Sequence, residues 1–401
     1  MTTVQQEKTD IFAKAFGYTR SKEAQAAGIY PFFVPFDDSE GTVVYYQGRE
    51  IIMIGSNNYL GLTTHPKVRE AAANAAMHYG TSCTGSRFMN GTLALHEELV
   101  ERLANFVGKE KALVFTTGYQ TNLGTVSALV GRGDVMITDK EAHACIVDGA
   151  LMAFGDLKRS KHSDPADLDR VLSKIDPEAG KLVAVDGVYS MGGDIAPLPE
   201  LVEVCARHGA RLMVDDAHSV GVLAEGRGTA AHFGLTDEVD IITGTISKSF
   251  ASIGGFVAGD EQVMHYVQHH ARSLIFSASL PASNVAAVLA ALDIIEEDPG
   301  YVQQVWDNAE YMRQGLQSLG FDTGPSETPI IPIMVGEDIR TALFWKGLFE
   351  EGVFTNPVIP PGVPPNQSLL RTSYIATHTR EQLDRALEII EKVGRLQGII
   401  D

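Results

Sequence analysis

The sequence predicts an α/β protein: a largely parallel β-sheet with helices on both faces, followed by a smaller C-terminal α+β domain. Three observations predict it. From Pro66 onward, stretches of helical periodicity alternate with short apolar runs at 112–115, 135–138, 182–186, 211–214, 241–243 and 255–257. This is how strands read when crossover helices bury both of their faces. Two of these runs lead into chemically active residues, in Val214-Asp-Asp-Ala-His-Ser-Val-Gly221 and Thr243-Gly-Thr-Ile-Ser-Lys-Ser249. A parallel sheet collects such strand ends at its carboxyl edge, where ligands bind. Past Pro281 the pattern changes to long helical segments with one strand-like stretch, Ile330-Ile-Pro-Ile-Met334.

Taken in order, the chain opens on a polar, helix-like stretch that ends in Tyr30-Pro-Phe-Phe-Val-Pro-Phe36. That segment reads either as an arm packed on the body or on a second subunit, or as an apolar lip in peripheral contact with a lipid substrate or membrane surface. Thr42-Val-Val-Tyr-Tyr46 and Glu50-Ile-Ile-Met-Ile54 flank Gln47-Gly-Arg49 and predict a hairpin. The expected divisions are an arm with the hairpin start at 1–48, a large domain at 49–282 and a small domain at 283–401. Within the last, helices are expected at 283–297, 301–319, near Ala342 and at 380–396, with a Pro-rich turn at 357–365.

Composition narrows the function. The chain has 401 residues, 44% hydrophobic and 21% charged, as in an ordinary soluble enzyme. Its net charge of −19 argues against a nucleic-acid partner or a polybasic membrane anchor. Cys83, Cys145 and Cys205 are too few and too dispersed for a disulfide framework or a Cys-x-x-Cys metal site, so free thiols and no metal are expected. The start of the chain lacks the order of a signal peptide, and no apolar segment reaches roughly 18 residues. A cytoplasmic location is the expectation.

The chemistry centres on Lys248. A buried strand leading into a small-residue turn presents one amine, and a desolvated lysine loses part of its preference for the charged form, so it can join an aldehyde. Pyridoxal phosphate (PLP) is the common biological aldehyde of this kind. It needs a carboxylate to keep its pyridine nitrogen protonated, and Asp215 is the candidate. Thr117-Gly-Tyr-Gln-Thr-Asn122 begins a helical run directly after a strand and offers an anion site at the helix N-terminus.

These motifs, with Asn57-Asn-Tyr-Leu-Gly-Leu62, Gly85-Ser-Arg-Phe-Met-Asn-Gly-Thr92, His143, Asp186-Gly-Val-Tyr-Ser-Met-Gly-Gly-Asp194, Phe276-Ser-Ala-Ser-Leu-Pro281 and Leu370-Arg-Thr-Ser373, occur in an order that resembles the α-oxoamine synthases. These are fold-type I PLP-dependent transferases, aspartate aminotransferase-like, that condense an amino acid with an acyl-CoA and release carbon dioxide. The resemblance implies a mostly parallel seven-stranded sheet in the large domain. It also implies roles for single residues. Lys248 carries PLP and removes the α-proton. His143 stacks on the pyridine ring; a plain helix cap is the alternative for a lone histidine there. His218 reaches the phenolic oxygen of PLP or the bound substrate, and Ser190 is a weaker candidate for the same oxygen. Gly118 and Tyr119 give amides, and Thr245 and Ser247 give hydroxyls, to the phosphate. Ser277 and Ser279 reach the phosphate across a dimer interface. Asn58 and Tyr59 approach substrate, Tyr59 from either subunit, and Arg371 captures the amino-acid carboxylate. Asp186 buttresses the ring or a neighbouring backbone, and Gln120 is left without a role. The catalytic unit implied is a homodimer with shared sites.

The segment around Gly85-Ser-Arg87 and the closing runs Gly352-Val-Phe-Thr-Asn-Pro-Val-Ile-Pro-Pro and Ile375-Ala-Thr-His-Thr379 resemble the serine- and palmitoyl-using branch of that family. The expected reaction is therefore condensation of L-serine with palmitoyl-CoA, a step of sphingolipid biosynthesis. The rivals are a glycine or alanine synthase using a shorter acyl thioester, an aminotransferase, and a non-catalytic PLP-fold binding protein.

Overall fold

The computed structural model describes residues 10–401, so the start of the expected N-terminal helical stretch lies outside the described residues. What is described of that stretch forms two short exposed helices, Ala13–Phe16 and Arg20–Ala26. Beyond them come β1 (Asp38–Ser39), β2 (Val43–Tyr46) and β3 (Arg49–Met53), the last two forming the expected antiparallel hairpin.

The large sheet follows: β4 (Lys111–Phe115), β5 (Val135–Asp139), β6 (Asp156–Ser160), β7 (Lys181–Asp186), β8 (Arg211–Asp215), β9 (Ile241–Thr245) and β10 (Gly255–Gly259). Its spatial order is β4-β10-β9-β8-β7-β5-β6, parallel except that β10 runs against both neighbours. The central strands are buried on both faces, which is why they read as unbroken apolar runs. In β8, Leu212, Met213 and Val214 are all 1% exposed or less. The exception is β6, Asp156-Leu-Lys-Arg-Ser160, an edge strand bonded only to β5. Its charged face suits an edge that must not recruit another strand, and hides it from a search for apolar runs.

The remaining strands are β11 (Ile330–Gly336), β12 (Val353–Phe354), β13 (Asn356–Val358) and β14 (Ser368–Ser373), with β11, β14 and β13 forming an antiparallel sheet. Helices Gly300–Ser318, Asp338–Glu351 and Arg380–Leu396 accompany it. Arg380–Leu396 starts at a capping box between Thr379 and Gln382 and buries Leu383, Ala386, Ile390 and Val393, spaced three or four apart along one face.

Two segments pack across the divisions expected from sequence. β3 pairs in parallel with β12, and Ile51, Ile52 and Ile54 join the C-terminal core with Phe344, Leu348 and Ile390. Helix Ala282–Glu297 instead places Val285, Val288, Leu292 and Ile295 in the core of the large sheet. The aromatic arm at 30–36 is partly seated. Val34 and Phe36 pack on the C-terminal core, with Phe36 edge-on to Phe354, while Phe33 is 93% exposed.

Candidate active site

The carboxyl ends of β5, β7, β8 and β9 converge on a cavity of about 310 Å³. Among the residues that line it are Gly118, Tyr119, His143, Asp186, Asp215, His218, Thr245, Ser247 and Lys248, all expected from the sequence.

Helix Gly118–Leu129 starts directly after β4. Thr117 caps it, its side chain accepting from the Gln120 amide at 3.1 Å, while the Thr121 amide reaches the Thr117 carbonyl. The amides of Gly118 and Tyr119 are left for an anion. Two glycines set the helix this close to the sheet. A Cβ on Gly118 would stand 2.9 Å from Thr245 Oγ1, and one on Gly255 would stand 2.5 Å from the Gly118 Cα. Thr245 Oγ1 and Ser247 Oγ lie 2.7 Å apart beside these amides. Backbone amides and hydroxyls gathered in this way form a phosphate-type donor set.

Lys248 is partly buried in the turn after β9. Burial, with the Arg371 charge adding to it, pulls its amine down to about 8, although Asp215 and Asp186 act the other way. Asp215 closes β8. Its Oδ1 accepts from the Ala217 amide at 2.9 Å and its Oδ2 from Asn122 Nδ2 at 2.5 Å. Asp186 closes β7 and accepts from the His143 amide at 3.0 Å. Burial, then the Asp215 charge, pushes Asp186 well above the usual carboxylate range. His143 caps helix Ala144–Met152, and its Nδ1 lies 2.8 Å from Cys145 Sγ. The cap and a cavity-facing ring thus coexist in one residue.

Beside the cavity, the Tyr59 hydroxyl lies 2.7 Å from His218 Nδ1 and accepts from Arg371 Nη2 at 3.2 Å. Arg371 also donates from Nε to the Ser190 carbonyl at 2.5 Å. Tyr59 therefore belongs to the same chain's network, and Ser190 acts there through its backbone oxygen; its side chain does not line the cavity. Tyr59 and Arg371 are 1% and 4% exposed. Burial, then the charges of Lys248 and Arg371, lowers His218 well below the usual imidazole range.

Other expected residues stand apart from the cavity. Asn58 donates to Thr63 Oγ1 at 2.8 Å. Ser277 accepts from Gln120 Nε2 at 3.2 Å, and Ser279 bonds Gly85 through both its amide and its hydroxyl. Asn122, Cys145, Ala217 and Ile253 line the cavity and were missed. Asn122 sits in mid-helix, where a single polar residue carries no strand-end signal.

The arrangement fits PLP by the chemistry of its donors: an amine kept partly uncharged, a carboxylate, a phosphate-type cradle, and an imidazole on the cavity wall. Among the described residues no group of His, Cys, Asp and Glu is arranged to hold a metal, and no helix is long and apolar enough to cross a membrane.

Comparison with known proteins agrees with this geometry. The model of the aminotransferase class I and II family matches residues 49–390. A serine palmitoyltransferase of Sphingobacterium spiritivorum is 47% identical over 373 residues, 93% of this chain and 94% of the relative. An 8-amino-7-oxononanoate synthase of Thermoanaerobacter pseudethanolicus is 42% identical over 381 residues, 94% and 96% of the two chains. Among solved structures, a serine palmitoyltransferase variant from S. paucimobilis with a bound PLP–myriocin adduct superposes with a TM-score of 0.95 at 35% identity, covering 98% of this chain and all of that one.

Proposed function

The chain belongs to the aminotransferase class I and II family, and on that premise we propose that it is a PLP-dependent acyltransferase. In this reading it condenses L-serine with palmitoyl-CoA to 3-oxosphinganine, CoA and carbon dioxide, as a cytoplasmic homodimer in sphingolipid biosynthesis. The observation that carries the reading is Arg371. It is a buried cation whose hydrogen-bond partners among the described residues, Ser190 O, Ser373 Oγ and Tyr59 Oη, are all neutral. A buried guanidinium with no carboxylate of its own calls for an anionic ligand, and an amino-acid carboxylate suits its fork.

Lys248 would hold PLP, Asp215 its pyridine nitrogen, and Gly118, Tyr119, Thr245 and Ser247 its phosphate. When bound, PLP supplies an electron sink for the pair left at Cα after deprotonation. Arg371 orients the substrate by its carboxylate. Lys248, whose amine is pulled down to about 8 and so is half uncharged near that pH, takes the Cα proton and later returns one. His218 is kept neutral by burial, and with the Tyr59 hydroxyl donating to its Nδ1 its own proton lies on Nε2, ready for donation.

The 8-amino-7-oxononanoate synthase among the relatives keeps an alanine-using reaction as the second reading. Serine is preferred because relatives with that activity reach 46–48% identity, against 39–42% for the synthases. The test is release of free CoA thiol from palmitoyl-CoA with serine, glycine and alanine in turn. Serine is expected to be the best donor; an equal or better rate with alanine would displace it.

A further inference from the structure

Behind the Asp215 carboxylate stands Asn122, 3% exposed, with every polar atom of its amide in use. Nδ2 donates to Asp215 Oδ2 at 2.5 Å and to Cys145 Sγ at 3.1 Å, and Oδ1 accepts from Thr243 Oγ1 at 2.8 Å. Thr243 belongs to β9, beside β8, and is 1% exposed. The amide therefore ties a helix to two neighbouring strands. It cannot flip without setting its oxygen against a carboxylate oxygen.

We propose that Asn122 is a positioning residue for Asp215. It fixes the carboxylate plane so that the lone pairs left free face the pyridine nitrogen of the cofactor. The inference rests on the reading of Asp215 as that nitrogen's partner. The terminal torsion of an aspartate is a broad, two-fold rotor. Here donors on both oxygens, Asn122 on one and the Ala217 amide on the other, remove that freedom before the cofactor arrives. Preorganisation of this kind strengthens the interaction that follows. The residue type is specific. An aspartate at 122 would set two carboxylates in hydrogen-bond contact, where both cannot stay ionised. An apolar side chain would strand the Thr243 hydroxyl in the core.

The test compares Asn122→Asp, Thr243→Val, Thr243→Ser and Asp215→Asn holoenzymes. The readouts are the PLP dissociation constant by equilibrium dialysis, the pH titration of the bound cofactor's visible absorption, and kcat and KM taken separately. Asn122→Asp is expected to weaken PLP binding on the order of 10-fold, to displace the spectral titration, and to lower kcat with little change in the amino-acid KM. Thr243→Val, which frees the amide without adding charge, should move the same readouts less, and Thr243→Ser should restore them. Parental affinity and titration in both Asn122→Asp and Thr243→Val would overturn the proposal, and Thr243→Val decides alone if Asn122→Asp does not fold. Losses in Asp215→Asn with none in those two variants would overturn the role of Asn122 while leaving that of Asp215. Parental behaviour in Asp215→Asn would remove both.

Discussion

The Tyr59 hydroxyl lies 2.7 Å from Nδ1 of His218 and at the same time accepts from Arg371. Arginine can only donate, and with the phenolic proton directed to the imidazole at 2.7 Å rather than to Asn57 Oδ1 at 3.5 Å, the neutral His218 keeps its own proton on Nε2. One hydroxyl thereby sets both the tautomer of His218 and the direction of the Arg371 fork. Tyr59→Phe should raise the amino-acid KM about 10-fold and cost about 1–3 kcal/mol of stability, because buried donors and acceptors lose their partner. Steady-state kinetics with varied amino acid, alongside thermal unfolding, checks both, and an unchanged KM would detach Tyr59 from substrate binding.

Lys248 should be the residue that carries the cofactor. After borohydride reduction, peptide mapping is expected to find the pyridoxyl group on Lys248. Its amine titrates at about 8 because burial disfavours the charged form. Incorporation of PLP into the cofactor-free protein should therefore rise up to about pH 8 and level off above it. Since the folded state binds fewer protons than the unfolded chain between about 8 and the ordinary lysine range, the cofactor-free protein should also lose stability as pH falls through that window. A label on another lysine, or incorporation still climbing beyond pH 10, would count against this assignment.

His162 bridges Asp139 at 3.0 Å and Asp194 at 3.1 Å, tying the end of β5 to the loop that carries Ser190. Burial alone would lower its value, but the two carboxylates outweigh burial and raise it to about 10. The folded state then holds a proton that the unfolded chain releases above pH 6.5. Its contribution is complete below 6.5 and fades toward 10. The melting-temperature gap between the parent and His162→Gln should be widest near pH 6 and shrink by pH 10. A gap independent of pH would mean that His162 serves by packing alone.

Gly255 offers a purely steric test of the phosphate cradle. A methyl there would stand 2.5 Å from the Gly118 Cα, against backbone that cannot swing aside. Gly255→Ala should displace the helix N-terminus, cost about 1–3 kcal/mol as overpacking does, and weaken PLP more than it weakens inorganic phosphate. Equilibrium dialysis measures both, and parental PLP affinity would place the phosphate elsewhere.

The central strands were legible in the sequence because burial on both faces leaves them few polar residues, and the candidate site was legible where side chains sit at a strand end, as Asp215 does, or in the turn just past one, as Lys248 does. What escaped has physical causes. Asp156-Leu-Lys-Arg-Ser160 is charged because it forms a sheet edge. Asn122 serves from inside a helix. Ser190 contributes a carbonyl, which its residue type does not announce. The hairpin's place in the C-terminal core depends on β3 pairing with β12, some 300 residues away, since Ile52 lies opposite Val353.

The most direct test of the proposed activity is catalytic efficiency along an acyl-CoA series from acetyl to palmitoyl, with serine as the amino acid and CoA thiol release as the readout. Each methylene taken from water is worth about 0.8 kcal/mol, up to about 4-fold per carbon where a groove receives the chain. Efficiency is expected to climb steeply to palmitoyl-CoA, and serine with palmitoyl-CoA should exceed glycine with acetyl-CoA by a wide margin. A flat or falling series, or parity between those two pairs, would contradict the assignment to serine and a long acyl chain.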